Sequence, residues 1–229
     1  LEKGWQTWWR RLVLWGFHLL YNQMAWSYDL VSWLVSLGQW RDWQGAGVAF
    51  LMGQDVLELA HGPGHMLVAL KSADFHITGF DLSPSMSRMA QRRLRKAGLD
   101  VPLVRGRAET LPFASAVFDS ILATFPAQFI VMPETLAALY RALRPGGRLV
   151  IVPEAHLTGG GPLTRFIEFL FAITGQRQAG TGDHAPSALW QRAGERFERA
   201  GFAVTIEQVK LEKSIVTVVV AQKAAAGIQ

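Results

Sequence analysis

Between residues 56 and 222 the apolar runs of this chain alternate in kind, and that alternation restricts the fold more than any other feature. Short runs rich in β-branched residues, at 56–59, 76–81, 101–105, 118–123 and 148–153, read as strands. The stretches between them, at 64–72, 84–97 and 133–143, read as helices. The second of these opens on Pro84 and is followed by Gly98, and the third is stopped by Arg144-Pro-Gly-Gly147. Residues 163–174 and 188–200 add two more helices, and 203–210 with 215–222 read as a closing pair of strands. Buried strands separated by helices make a mainly parallel sheet covered on both faces. In such sheets a ligand sits beyond the carboxyl ends of the strands, near the point where strand order reverses.

The first strand–helix junction reads Glu58-Leu-Ala-His-Gly-Pro-Gly-His65. A glycine-bearing loop here lets backbone N–H groups and a helix start approach a ligand. Two features argue against a dinucleotide. The third small residue of G-x-G-x-x-G would fall on Leu67, which is bulky, and Glu58 would aim an anion at a pyrophosphate. An acid at that point suits a cationic ligand. A second acid, Asp81, ends the second strand, 17 residues past Gly64. A carboxylate there can accept from both hydroxyls of a ribose. Its alternative role, a helix cap, is already supplied by Ser83-Pro84.

Five segments taken in order carry a resemblance: Glu58–Gly64, Gly79–Met86, Gly106–Phe113, Phe118-Asp119 and Leu143–Leu149. Together, over about residues 55–155, the chain resembles a class I methyltransferase dependent on S-adenosylmethionine (SAM). The resemblance implies an α/β, Rossmann-like seven-stranded sheet, mainly parallel, with helices on both faces and an antiparallel last strand. It implies that Glu58, His61 and the backbone of Ala60, Gly62 and Gly64 hold the methionine end of SAM. Asp81 would hold the ribose, Leu82 and Met86 would flank the adenine, and Ala108 would offer backbone to its edge. Thr124 and Phe125 would lie near the sulfonium. Two positions depart from the family pattern. Ala60 replaces its first loop glycine, and Arg107 stands where it usually has an acid. Arginine has no acceptor, so either Glu109 or the backbone alone reads the adenine amino group.

The first 45 residues form a separate segment before the methyltransferase domain at 46–223. Eight of the nine tryptophans lie in the first 43 residues. On a helix over 4–20, Trp5, Trp8, Trp9, Leu12, Trp15 and Leu19 share one face, with Arg10 and Arg11 largely off it. A spanning helix needs roughly 20 apolar residues. This amphipathic, Trp-rich helical segment suits a membrane surface, or packing on protein, better than a span. Residues 21–30, with Tyr28-Asp29, resemble the entry segment of the ubiquinone/menaquinone C-methyltransferases and of bacterial phosphatidylethanolamine N-methyltransferases. In those groups Tyr28 would close over the cofactor.

These readings converge on a lipid-like or apolar acceptor, methylated by a protein peripheral to the inner face of the membrane. The base candidates are His156, after the fifth strand beside Glu154, and His61, His65 and His184. Residues 163–174 read either as a pocket-lining element or as an ordinary core helix. With no cysteine, the chain has no disulfide, thiolate metal site or thiol nucleophile, and no metal site is expected. A net charge of +5 and a basic run from Arg88 to Arg107 raise nucleic acid as a partner. Thr124-Phe-Pro-Ala127 lacks the Asn-Pro-Pro-Tyr pattern used on base amino groups, and no RNA-binding module is visible. A soluble small-molecule acceptor and a non-catalytic SAM-binding scaffold remain as alternatives. The sequence does not specify an oligomeric state.

Overall fold

A computed structural model describes residues 36–158 and 188–225. The strands are β1 (Asp55–Leu59), β2 (His76–Asp81), β3 (Leu103–Arg105), β4 (Phe118–Thr124), β5 (Leu143–Leu157), β6 (Phe202–Leu211) and β7 (Ser214–Lys223). The helices are α1 (Trp40–Gly45), α2 (His65–Ser72), α3 (Pro84–Lys96), α4 (Pro133–Ala142) and α5 (Ala188–Arg199). One sheet runs in the order β3-β2-β1-β4-β5-β7-β6. Strands β1 to β5 are parallel, and β7 is antiparallel to both β5 and β6. The expected seven-stranded sheet is therefore present. Order reverses between β1 and β4, which places the switch point there.

Alternation along the strands divides the core in two. Leu57, Leu59, Ile121, Ala123 and Ile151 pack on one face with α4 and α5. Val56, Leu122, Val150, Val152 and Ala155 pack on the other with α1, α2 and α3. Helix α3 starts as its sequence dictates: Pro84 is in its first turn, and the Ser83 hydroxyl accepts from the Met86 N–H at 3.4 Å.

Strand β5 departs from expectation. It begins at Leu143 rather than Arg148 and runs on past Pro153 to Leu157. Its register on β4 jumps from Phe118–Leu143 to Ser120–Arg148, so Arg144–Gly147 bulges from the ladder. Gly147 is needed in that bulge, since a Cβ there would meet the Arg144 and Asp119 carbonyls at 2.9 Å. Beyond Pro153 the strand is held by β7, after a second irregularity between Ile151 and Glu154. The predicted helices at 4–20 and 163–174 lie outside the described residues.

Candidate functional site

The crevice between the carboxyl ends of β1 and β4 contains the chain's most unusual buried chemistry. Glu58 sits one residue before the end of β1, opposite Gly79 on β2 and Leu122 on β4. It is 1% exposed, and its Oε2 has no hydrogen-bond partner. Burial first, and the neighbouring Asp81 second, hold its carboxyl well above the usual range. A buried acid with a free oxygen is costly unless something arrives to pair with it. A cation answers that need and a phosphate does not.

The loop after β1 is strained and closed on itself. Ala60 adopts φ 56°, the left-handed region that the missing glycine would have occupied without penalty. Gly64 has φ 82°, and a Cβ there would come within 2.7 Å of the Ala90 Cβ, so α2 and α3 approach only because it is glycine. The loop N–H groups are engaged internally. Ala60 donates to the Phe80 carbonyl at 2.7 Å, Gly62 to Asp81 Oδ2 at 2.9 Å, and Gly64 to the His61 carbonyl at 3.1 Å. The junction is therefore no phosphate-binding nest.

Asp81 ends β2 and accepts from the Gly62 N–H on one oxygen and from the Ser83 N–H, at 2.7 Å, on the other. A carboxylate has about four lone-pair sites, so it retains capacity for two further donors. His61 turns inward. Its Nδ1 donates to the Gly62 carbonyl at 2.7 Å, and its ring lies 3.0 Å from where a Cβ on Gly79 would be. Burial holds its imidazole below the ordinary value, against an opposing pull from Asp81. It is a neutral prop beneath the loop.

The adenine-side residues are placed unevenly. Met86 is buried at 1% exposure, while Leu82 is left 60% exposed beside it. Ala108 is buried in a single 3-10 turn, Ala108–Thr110. Arg107 is exposed and pairs with Glu109 at 3.0 Å, so the arginine at the family's acid position is neutralised by the acid two residues on.

On the β4 side, Thr124 is buried, and Phe125 follows it at φ 47°, a conformation that bulky residues rarely adopt. Helix α1 covers this end. Trp40 stacks on Phe125 at 4.4 Å, and the Gln44 Nε2 donates to the Thr124 Oγ1 at 3.0 Å. Trp43 is buried, with its Nε1 donating to Ser214 Oγ at 2.8 Å. The described tail of the Trp-rich segment thus belongs to the protein core. Nothing in the sequence singles out Gln44, a lone amide in a six-residue helix.

His156 is not brought to this crevice. It lies within β5 rather than after it, paired with Ile215. Thr124 pairs with Val152, so His156 stands four residues, roughly 13 Å, farther along the strand. Ala155 and Leu157 pack on the α1 side, which turns His156 to the opposite face. There its Nε2 is 4.0 Å from Glu154, whose Oε1 accepts from Thr217. Tyr28 and His184 lie outside the described residues. Among the described residues no cluster of metal-ligating side chains occurs.

Residues 56–147 match the family model described as a methyltransferase domain. The chain carries a class I SAM-dependent methyltransferase domain. The demethylmenaquinone methyltransferase of Symbiobacterium thermophilum is 31% identical over 163 residues, covering 67% of this chain and 63% of that protein. The ubiquinone/menaquinone biosynthesis C-methyltransferase of Psychromonas ingrahamii is 31% identical over 159 residues, covering 66% and 63%. The chain thus spans less than two thirds of the length of these relatives.

Among solved structures, a SAM-dependent methyltransferase of Methanococcus maripaludis superposes with TM-score 0.63 at 17% identity, covering 91% of this chain and 96% of that one. The [4+2]-cyclase SpnF superposes with TM-score 0.56 at 17% identity, covering 81% and 80%. At such identities the likeness is one of fold.

Proposed function

We propose that this protein transfers the methyl group of SAM to a ring carbon of an apolar quinone precursor at a membrane surface. The observation that carries the cofactor half is the buried, unpartnered carboxyl of Glu58 at the switch point, beside loop N–H groups that are already engaged. That arrangement fits a ligand with an ammonium and a sulfonium, and it suits a dinucleotide poorly. SAM, when bound, supplies an electrophilic methyl group.

The chain's own residues bind and orient. Glu58 accepts from the ammonium, and Asp81 accepts from the ribose hydroxyls with its remaining lone pairs. The exposed Leu82 and the buried Met86 sandwich the adenine, whose edge meets the backbone at Ala108. The Arg107–Glu109 pair leaves that contact to the backbone. Thr124 and the strained Phe125 close the sulfonium end, Trp40 and Trp43 exclude water from it, and Tyr28 completes the lid. Holding the reacting atoms in line, out of water, is the protein's main contribution to such a displacement.

The quinone-precursor half rests on the curated relatives named above, at 31% identity. Attack through carbon requires the ring hydroxyl to give up its proton. Among the described residues, His156 faces away from the crevice and His61 supports the loop from below; in this reading the acceptor's own acidity carries that step. The surface-bound half rests on the helix expected at 4–20. No helix among the described residues is long and apolar enough to cross a membrane.

The test is methyl-labelled SAM with a chemically reduced prenylated quinone precursor and, in parallel, phospholipid vesicles. Label on the ring carbon is the expected result. Label on a phospholipid amine would replace the acceptor assignment. SAM bound without label transfer would place the chain among folds that, like the [4+2]-cyclase, serve other chemistry. Deleting residues 1–20 should reduce co-sedimentation with vesicles while leaving SAM affinity unchanged.

A further inference from the structure

We infer that Gln44 is a cofactor-binding residue, whose side-chain carbonyl accepts a hydrogen bond from the ammonium of the SAM methionine end together with Glu58. The inference rests on the SAM reading above and adds to it a residue from outside the methyltransferase motifs.

Three observations carry it. Gln44 is 7% exposed, and its amide is used at only one end. Nε2 donates to Thr124 Oγ1 at 3.0 Å, while Oε1 is buried with no partner. A buried amide carbonyl left unpaired in this way is destabilising unless a donor comes to it.

Second, its position matches that of Glu58. Leu122 stands opposite Glu58, and Thr124 lies two residues farther along β4. The pleat therefore puts the Thr124 and Glu58 side chains on one face, with Cα atoms roughly 8 Å apart on the diagonal. Helix α1 packs on that same face, through Trp43 and Ala46. Glu58 Oε2 and Gln44 Oε1 are thus two unpartnered buried acceptors flanking one crevice. Two acceptors call for a ligand group rich in donors. A primary ammonium has three, enough for both.

Third, Gln44 is held in advance. Trp43 Nε1 donates to Ser214 Oγ at 2.8 Å, and Ser214 Oγ donates to Gln39 Oε1 at 3.0 Å, tying both ends of the α1 turn to the start of β7. Trp40 stacks on Phe125 on the other side. The carbonyl is therefore fixed before any ligand arrives, which is how a single charge-assisted hydrogen bond comes to matter for affinity.

The test uses S-adenosylhomocysteine (SAH) and its analogue lacking only the amino group, titrated calorimetrically into wild type, Gln44→Met and Thr124→Val. Wild type should bind SAH more tightly than the analogue. Gln44→Met should lower SAH affinity about 10-fold and leave affinity for the analogue unchanged. Thr124→Val, which removes the group that orients the amide, should give a smaller loss with the same selectivity. An equal loss for both ligands would mean that Gln44 only shapes α1, and would overturn the assignment. Unchanged SAH affinity in Gln44→Met would overturn it as well. Failure of wild type to bind SAH at all would overturn the cofactor reading itself, and Gln44 with it.

Discussion

The two ends of the sheet are built on opposite principles. At the amino end, near the start of β1, polar groups are mostly paired, the buried Nε of Arg148 excepted. Asp119 accepts from the Gln54 and Asp55 N–H groups at 3.0 Å each, and Arg144 reaches both Asp119, at 2.6 Å, and Asp55, at 2.8 Å. The Arg144 hydrogen bond holds the Asp55 carboxyl below the usual range; at Asp119 burial pushes the carboxyl up, and the Arg144 pairing with the two N–H bonds together outweighs it. A depression of about 360 Å3 lies there, lined by Asp55, His76, Phe118 and Arg144. Its Asp55, His76 and Arg144 side chains are already paired.

At the carboxyl end the pattern inverts. Glu58, His61 and Gln44 each retain a buried polar atom without a partner, and Ala60 and Phe125 hold left-handed backbone. One end of the sheet stabilises the fold. The other is kept at some cost to stability, as binding sites are.

The contrast can be broken most severely at Asp81. Asp81→Ala removes two charge-assisted acceptors on the loop and both ribose contacts, so SAM affinity should fall on the order of 100-fold or more. Equilibrium dialysis with labelled SAM reads this, and unchanged affinity would remove Asp81 from the site. The amino end should answer in the other currency of fold and function. Asp119→Ala should lower unfolding stability by roughly 1–3 kcal/mol in a denaturant titration, with SAM affinity within twofold of wild type.

Glu58→Gln sharpens the contrast because it should act in opposite directions on the two properties. The folded-state pKa of Glu58 is raised above its reference value of 4.5. The ligand-free fold therefore binds more protons than the unfolded chain between the two values, and this group's contribution to stability declines as pH rises through that window. At pH 7 Glu58→Gln should make the ligand-free protein more stable, by on the order of 1 kcal/mol, while weakening SAM binding. The smallest effect belongs to Ala60→Gly. Relieving the left-handed alanine should add about 0.5–1 kcal/mol of stability, offset in part by the entropy that glycine gains in the unfolded chain. Thermal melts compare these variants directly.

Much of this was legible in the sequence because it is local. Each helix boundary in the described part of the domain lies within one or two residues of the position expected from Pro84, Gly98 and the Arg144-Pro-Gly-Gly147 stop. Glu58 and Asp81 were marked by their places at strand ends. What could not be read is long-range. Pro153 reads as the end of β5, yet pairing with β7 carries the strand to Leu157 and takes His156 out of the crevice. The loop reads as a set of free N–H donors, and only the fold shows Phe80 and Asp81 accepting from them. Trp40 and Trp43 read as part of a segment suited to a membrane surface or to packing on protein, and only the fold shows a serine 171 residues beyond Trp43 fixing that indole in the core. Gln44 acquires meaning only from Thr124, which is 80 residues away.

The measurement closest to the central claim is a calorimetric titration of SAM at about pH 6 in two buffers of different ionisation enthalpy. If Glu58 is the cation's partner, a carboxyl that burial biases towards its protonated form in the empty site must ionise as SAM binds. The heats should then show one-to-one binding with net proton release, and that release should vanish in Glu58→Gln. Binding with no proton release in wild type, or with equal affinity in Glu58→Gln, would contradict the account.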